Sequence, residues 1–149
     1  MNLFKNYSDE YKNYLLSLPK EYFLTILENC FTEIFVADHE GRITYINPAC
    51  VRHYGLSSEE MVGHLATEIC QERDLWEPYT YKDVVAYGKT LITENRYKVI
   101  NQNLLSISVP VFDDSGDIEM MVSSTQDHFN KYDITYRVNT TSIKNKLDD

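Results

Sequence analysis

The chain has 149 residues, and 14 Lys and Arg stand against 23 Asp and Glu, for a net charge of −9. That length suits one domain with a core, and such acidity disfavours contact with nucleic-acid phosphates by this segment. No run approaches the ~18 apolar residues of a membrane span and no apolar signal core opens the chain, so the expectation is a cytoplasmic protein without membrane contact.

Residues 1–31 read as two amphipathic helices. Leu15, Leu16, Leu18, Tyr22, Phe23, Ile26, Leu27 and Cys30 recur at spacings of three and four. Pro19 cannot continue a helix, so the break falls near Leu18-Pro19. Ile34–Ala37 is a short apolar strand, and Asp38-His39-Glu40-Gly41 is a turn in which Asp can bond the following backbone. Arg42–Ile46 returns as a second strand. Asn47-Pro48 then reads as the N-cap and first residue of a helix that ends at Gly55. Ser57 and Glu60 have capping-box spacing, and Gly63 ends that next short helix.

Residues 64–90 read as short helices, the last one ended by Gly88. Leu91–Val99 and Leu104–Phe112 are strands joined by a polar turn at 101–103. Asp113-Asp114-Ser115-Gly116 is a second acidic hairpin turn, and Ile118–Thr125 is the last strand. Two strands, short helices and three strands make an α+β domain with a five-stranded antiparallel sheet. Residues 128–149 are polar and read as a linker or a signalling helix. The three cysteines (Cys30, Cys50 and Cys70) are odd in number and scattered, which fits reduced thiols.

The stretch from Asp38 to Gly63 resembles the start of a PAS domain. The family pattern has an acidic-x-x-Gly hairpin, an Asn-x-Ala helix opening, and Gly-x-Ser-x-Glu-Glu-x-x-Gly. Here these are Asp38 to Gly41, Asn47-Pro48-Ala49, and Gly55 to Gly63. The resemblance covers residues 20–127, with 1–19 as a helical extension in front and 128–149 behind. It implies strand order 2-1-5-4-3, short helices over one sheet face, and a flanking N-terminal helix that covers the outer face or pairs two protomers. It also implies a sensory or docking module, not an enzyme.

PAS pockets lie between the concave sheet face and the short helices. Strand alternation offers two registers. The resemblance favours Leu104, Ser106, Ser108, Met121, Ser123 and Thr125 facing the pocket, joined by Phe35, Ala37 and Ile46 from the first hairpin. The opposite register would turn Leu105, Ile107, Val109 and Val111 inward and make the pocket greasy or closed. Inward hydroxyls leave room and need partners, which a small polar or aromatic molecule, water or neighbouring backbone supplies. Helix-side candidates are Val51, Tyr54, Met61, Ile69, Trp76, Tyr81, Val84 and Val85, with Arg52 and Arg73 as nearby positive groups.

The cofactor is left unassigned. A flavin photosensor would need an Asn-Cys-Arg-Phe-Leu-Gln motif, and Gly63 is followed here by HLATEICQERDL. Heme-binding members place a His before the third strand, and 77–90 contains none. Cys50 and His53 have helical ligand spacing without a second pair, so no metal is expected. No catalytic motif is recognisable. The expectation is a ligand-sensing PAS domain, a homodimer, placed ahead of an effector in a bacterial sigma-54-dependent regulator or sensor kinase. The alternative is a ligand-free dimerising interaction module.

Overall fold

Ser8 starts the first helix by accepting the Tyr11 amide on its Oγ at 3.2 Å. That helix, α1 (Asp9–Ser17), stops short of Pro19, and α2 (Lys20–Asn29) follows directly. The break falls where a residue without an N–H must interrupt the ladder. Neither helix has a buried residue. The computed structural model describes residues 6–127, so the expected linker or signalling helix at 128–149 and the first five residues of the helical extension lie outside the described residues.

The first hairpin pairs β1 (Glu33–Asp38) with β2 (Ile43–Ile46). Asp38 Oδ1 accepts the amides of Glu40 and Arg42 at 2.9 and 3.0 Å, which closes the turn. Gly41 has φ +82°, and a Cβ there would stand 3.2 Å from the Tyr81 ring. The position therefore needs glycine for its backbone and for the close approach of a helix residue. The second hairpin uses the same chemistry, with Asp113 Oδ1 accepting from Ser115 and Asp117 at 2.8 and 3.0 Å.

Asn47 departs from the expected N-cap. Its Nδ2 donates to the carbonyls of Leu27, Cys30 and Thr32 at 3.2, 3.1 and 2.9 Å, and its Oδ1 accepts the Ile34 amide at 3.1 Å. Fully buried, the amide ties the end of α2 to the start of β1. Helix α3 (Ala49–Tyr54) starts without a side-chain cap, its first amides donating to the backbone carbonyls of Asn47 and Pro48. Four partners converging on one buried amide group outweigh a single cap bond. The capping box of α4 (Ser58–Met61) is formed, with Glu60 N donating to Ser57 Oγ and Ser57 N donating to Glu60 Oε2.

Next come α5 (Ala66–Arg73), a two-residue strand β3 (Trp76–Glu77), and α6 (Tyr81–Tyr87), capped by Gly88 in the left-handed region. The chain finishes with β4 (Leu91–Tyr97), β5 (Gln102–Phe112) and β6 (Ile118–Gln126). The antiparallel sheet has order β2-β1-β6-β5-β4-β3. This is the expected five-strand order with one short strand added at the edge, where Trp76 pairs with Tyr97. Two residues carry no alternation, so this strand leaves no trace in the sequence pattern.

The core lies between the inner sheet face and helices α3–α6. Phe35, Ile43, Ile46, Leu104 and Met121 from the sheet meet Met61, Ile69 and Val84 from the helices. Burying each large side chain stabilises by about 1.5–3 kcal/mol. The outer sheet face is also apolar but open, with Ile92 66% exposed and Leu105 and Val109 near 40%. Among the described residues no helix is long and apolar enough to cross a membrane.

Candidate functional site

Strands β5 and β6 place Ser106 opposite Thr125 and Ser108 opposite Ser123. With a side-chain period of two, Leu104, Ser106 and Ser108 share one face with Met121, Ser123 and Thr125, and all six are buried. Leu105 and Val109 lie on the other, exposed face. Ser108 and Ser123 bond each other at 2.7 Å. Ser106, Thr125 and Tyr97 form a triangle of hydroxyls with edges of 2.8, 2.9 and 3.1 Å. The inner sheet face is thus polar, yet its hydroxyls are largely satisfied within the fold.

A cavity opens between this face and the segment from α5 to α6. The space in which the centre of a water molecule can move is about 40 Å³, and the empty volume including the open mouth is about 480 Å³. A water needs ~10–15 Å³ of such space, so the cavity has room for roughly three waters or a small organic molecule. Its walls carry the aromatic rings of Phe35, Tyr54, Trp76, Tyr79, Tyr81 and Tyr97 together with Glu33, Asn95 and the sheet hydroxyls. Tyr81 is held over the first hairpin by its hydroxyl, which donates to the Asp38 carbonyl at 3.0 Å.

Glu33 begins a buried chain of charges. Its Oε2 accepts the Tyr54 hydroxyl at 3.0 Å, and its Oε1 lies 3.2 Å from His53 Nδ1. His53 Nε2 lies 2.9 Å from Asp127 Oδ1, and Asp127 pairs in turn with Arg52, whose other side stacks on Phe31. His53 is completely buried. Burial alone would lower its pKa, but its bonds to Asp127 and Glu33 prevail and raise it to about 9. Burial also opposes the Asp127 carboxylate, yet His53 and Arg52 hold it well below the usual carboxylate range. Burial and the Glu33 charge keep Tyr54 well above 10 and push Tyr97 up to about 12, so both stay neutral donors. The chain runs from a residue on the cavity wall to the first residue after β6.

The expected site residues divide by where the fold puts them. Phe35, Tyr54, Tyr81, Ser106, Ser108, Met121, Ser123 and Thr125 line the cavity, as does Trp76. Ala37, Ile46, Met61 and Leu104 are buried in the apolar core outside the lining, because neighbouring side chains fill the space around them. Ile69 and Val84 are core as well. Val85 and Val51 are solvent-exposed, on the outer sides of α6 and α3, since a helix of about two turns lying over a sheet buries only one stripe. Arg52 is engaged by Asp127 and the Phe31 carbonyl, away from the cavity.

Sequence reasoning missed Glu33, Asn95, Tyr97 and His53 as site residues. Tyr97 and Asn95 alternate on one strand, and that alternation would have placed them on the inner face once the strand's register was known. Glu33 precedes the apolar run of β1 and reads there as a solvated charge. Among the described residues no group of His, Cys, Asp and Glu is arranged to hold a metal ion. The Cys70 thiol donates to the Trp76 carbonyl at 3.3 Å, and burial pushes it up to about 12, which keeps it unreactive.

The geometry agrees with known structures. The PAS domain of BvgS from Bordetella pertussis superposes with a TM-score of 0.55 at 13% identity, covering 82% of this chain and 96% of that one. The PAS domain of nitrogen regulation protein NR(II) from Vibrio parahaemolyticus gives 0.54 at 16% identity, covering 70% and 95%. A sensory box sensor histidine kinase from Vibrio cholerae gives 0.53 at 13% identity, covering 81% and 96%. At these identities the likeness speaks for the fold alone. No curated protein matches the chain. The PAS domain family model matches residues 32–128, nearly two thirds of the sequence, and the chain belongs to the PAS domain family.

Proposed function

We propose that this PAS domain is a sensor: a small molecule in the cavity biases a downstream effector domain of a longer chain. The observation that carries the reading is the Glu33–His53–Asp127 chain. One end lies on the cavity wall and the other at the exit of the last strand. A ligand that favours one arrangement of this chain shifts the population of exit geometries, and it acts only through differential affinity for the two arrangements. The proposed setting is cytoplasmic signal transduction in a bacterial regulator. A sensor kinase and a sigma-54-dependent transcription activator are the two proposed effector classes.

A second reading has its own support. Tyr22, Ile26 and Phe31 in and after α2, and Ile92 on the outer sheet face, are about half exposed or more. Apolar surface of this kind suits a dimer interface, and a domain acting only through it would need no ligand. Native mass spectrometry of protein purified from rich medium, followed by a denatured run, separates the two. A small mass released on denaturing supports the sensor. No adduct, and no thermal shift across a metabolite library, would leave the dimerising module. A ligand at about 100 times its Kd should raise stability by about 2.7 kcal/mol, which a thermal shift reads easily.

A further inference from the structure

Resting on the sensor reading, we infer that the cavity takes a small organic ammonium ion. Three features of the walls point the same way. Among the described residues no Lys, Arg or His lines the cavity, whereas the Glu33 carboxylate does. A carboxylate or phosphate ligand would meet a carboxylate and no cation on the wall, because the His53 imidazolium beside Glu33 is bonded between Glu33 and Asp127 and lies outside the lining.

The second feature is an acceptor without a donor. Asn95 lines the cavity and is almost fully buried, and its Oδ1 has no hydrogen-bond partner among the described residues. The orientation of this amide follows from its neighbours. The Ser106, Thr125 and Tyr97 hydroxyls form a closed triangle, and closing it engages all three hydroxyl hydrogens. Ser106 Oγ can then only accept from Asn95, so Nδ2 faces Ser106, at 3.5 Å, and Oδ1 is left over. The phenols of Tyr54 and Tyr81 are also engaged, with Glu33 and with the Asp38 carbonyl. The fold therefore leaves a buried acceptor that an incoming N–H would satisfy.

The third feature is the ring wall. Trp76 packs against Phe35, Tyr54 and Tyr79 with centroids 5.9, 5.2 and 6.5 Å apart, and Tyr54 stacks on Tyr97 at 5.7 Å. Ring faces attract a desolvated cation, and ammonium groups are the ligands such surroundings select. A carboxylate, an orphan carbonyl oxygen and contiguous rings all favour positive charge bearing an N–H.

The test uses the 149-residue chain and three probes of one shape: benzylamine, benzyl alcohol and benzoate. Binding is followed by calorimetry and by amide NMR shifts at about pH 7, where an alkylammonium is charged. Benzylamine should bind at least tenfold more tightly than benzyl alcohol, with benzoate silent and the shifts centred on Glu33, Asn95 and Trp76. Glu33→Gln should erase the tenfold preference. Asn95→Leu should weaken benzylamine binding at least severalfold, and its melting temperature, read in parallel, reports the separate loss of the Nδ2–Ser106 bond. That second variant keeps the test intact if removing the Glu33 charge disturbs folding. Equal or tighter binding of benzyl alcohol, or any binding of benzoate in the cavity, overturns the ammonium assignment while leaving a ligand-binding domain. Silence from all three probes overturns it too. If native mass spectrometry also releases no small molecule, the sensor reading falls with it.

Discussion

Raising the pH from about 6 to about 8.5 should destabilise this domain, and His53 is the reason. In the folded chain its pKa is raised to about 9, against 6.5 for an unperturbed imidazole, because Asp127 and Glu33 bond it from both sides. Between those values the native state holds a proton that the unfolded chain has lost, so stability falls as pH rises. The contribution is complete below 6.5 and gone above about 9. At about 1.36 kcal/mol per pH unit it amounts to roughly 3 kcal/mol. Most of this is lost by about pH 8.5, which lowers the melting temperature of a domain this size by roughly 10 °C. The lowered Asp127 carboxyl is the same bond seen from its other end and is not added; its own effect is a loss of stability in acid. The raised Cys50 and Cys70 thiols add a loss of stability of the same sign that sets in near pH 9, where thiols of the unfolded chain ionise, so the slope below about pH 8 belongs to His53. Urea unfolding at half-unit pH steps gives the slope, and NMR of the His53 ring gives its pKa directly. A flat profile from pH 6 to 8.5, or an imidazole titrating near 6.5, would refute the argument that the Glu33 and Asp127 carboxylates hold the proton. A His53→Gln variant should flatten the same window.

Three other perturbations test separate parts of the structure. Asn47→Ala removes a buried amide that bonds four backbone groups, and should cost about 2–4 kcal/mol in urea unfolding. Ser108→Leu puts bulk into the cavity and leaves Ser123 without its 2.7 Å partner. It should abolish any ligand-induced thermal shift and leave hydrodynamic size unchanged; a retained shift would place the ligand elsewhere. Ile26→Asp adds charge to an exposed apolar position on α2. It should convert a dimer to a monomer in light scattering with little change in melting temperature, and an unchanged mass would remove α2 from the interface.

Local rules made much of the fold legible. Pro19 had to break the N-terminal helices, Asp38 and Asp113 had to close tight turns before glycines, and Ser57 with Glu60 had to cap a helix. Each depends on groups within a few residues, so composition and spacing suffice. The alternation along β5 and β6 likewise contained both faces, and the family resemblance favoured the hydroxyl-bearing one. What the chain could not declare locally was which partner wins when several are available. Asn47 reads as a cap, but folding brings three carbonyls and an amide from segments 13 to 20 residues away. Glu33 reads as a surface charge until α3 delivers His53 and Tyr54 to it and the end of β6 delivers Asp127. Val85 and Val51 are apolar and sit on the right helices, yet only the docking angle of each helix decides which stripe is buried. The orphan oxygen of Asn95 exists only because two other strands close a triangle of hydroxyls beside it. The elements and their order are thus local chemistry, written in the sequence. The cavity, its charge and its link to the exit strand are contacts between distant segments, and they arise only when the sheet closes.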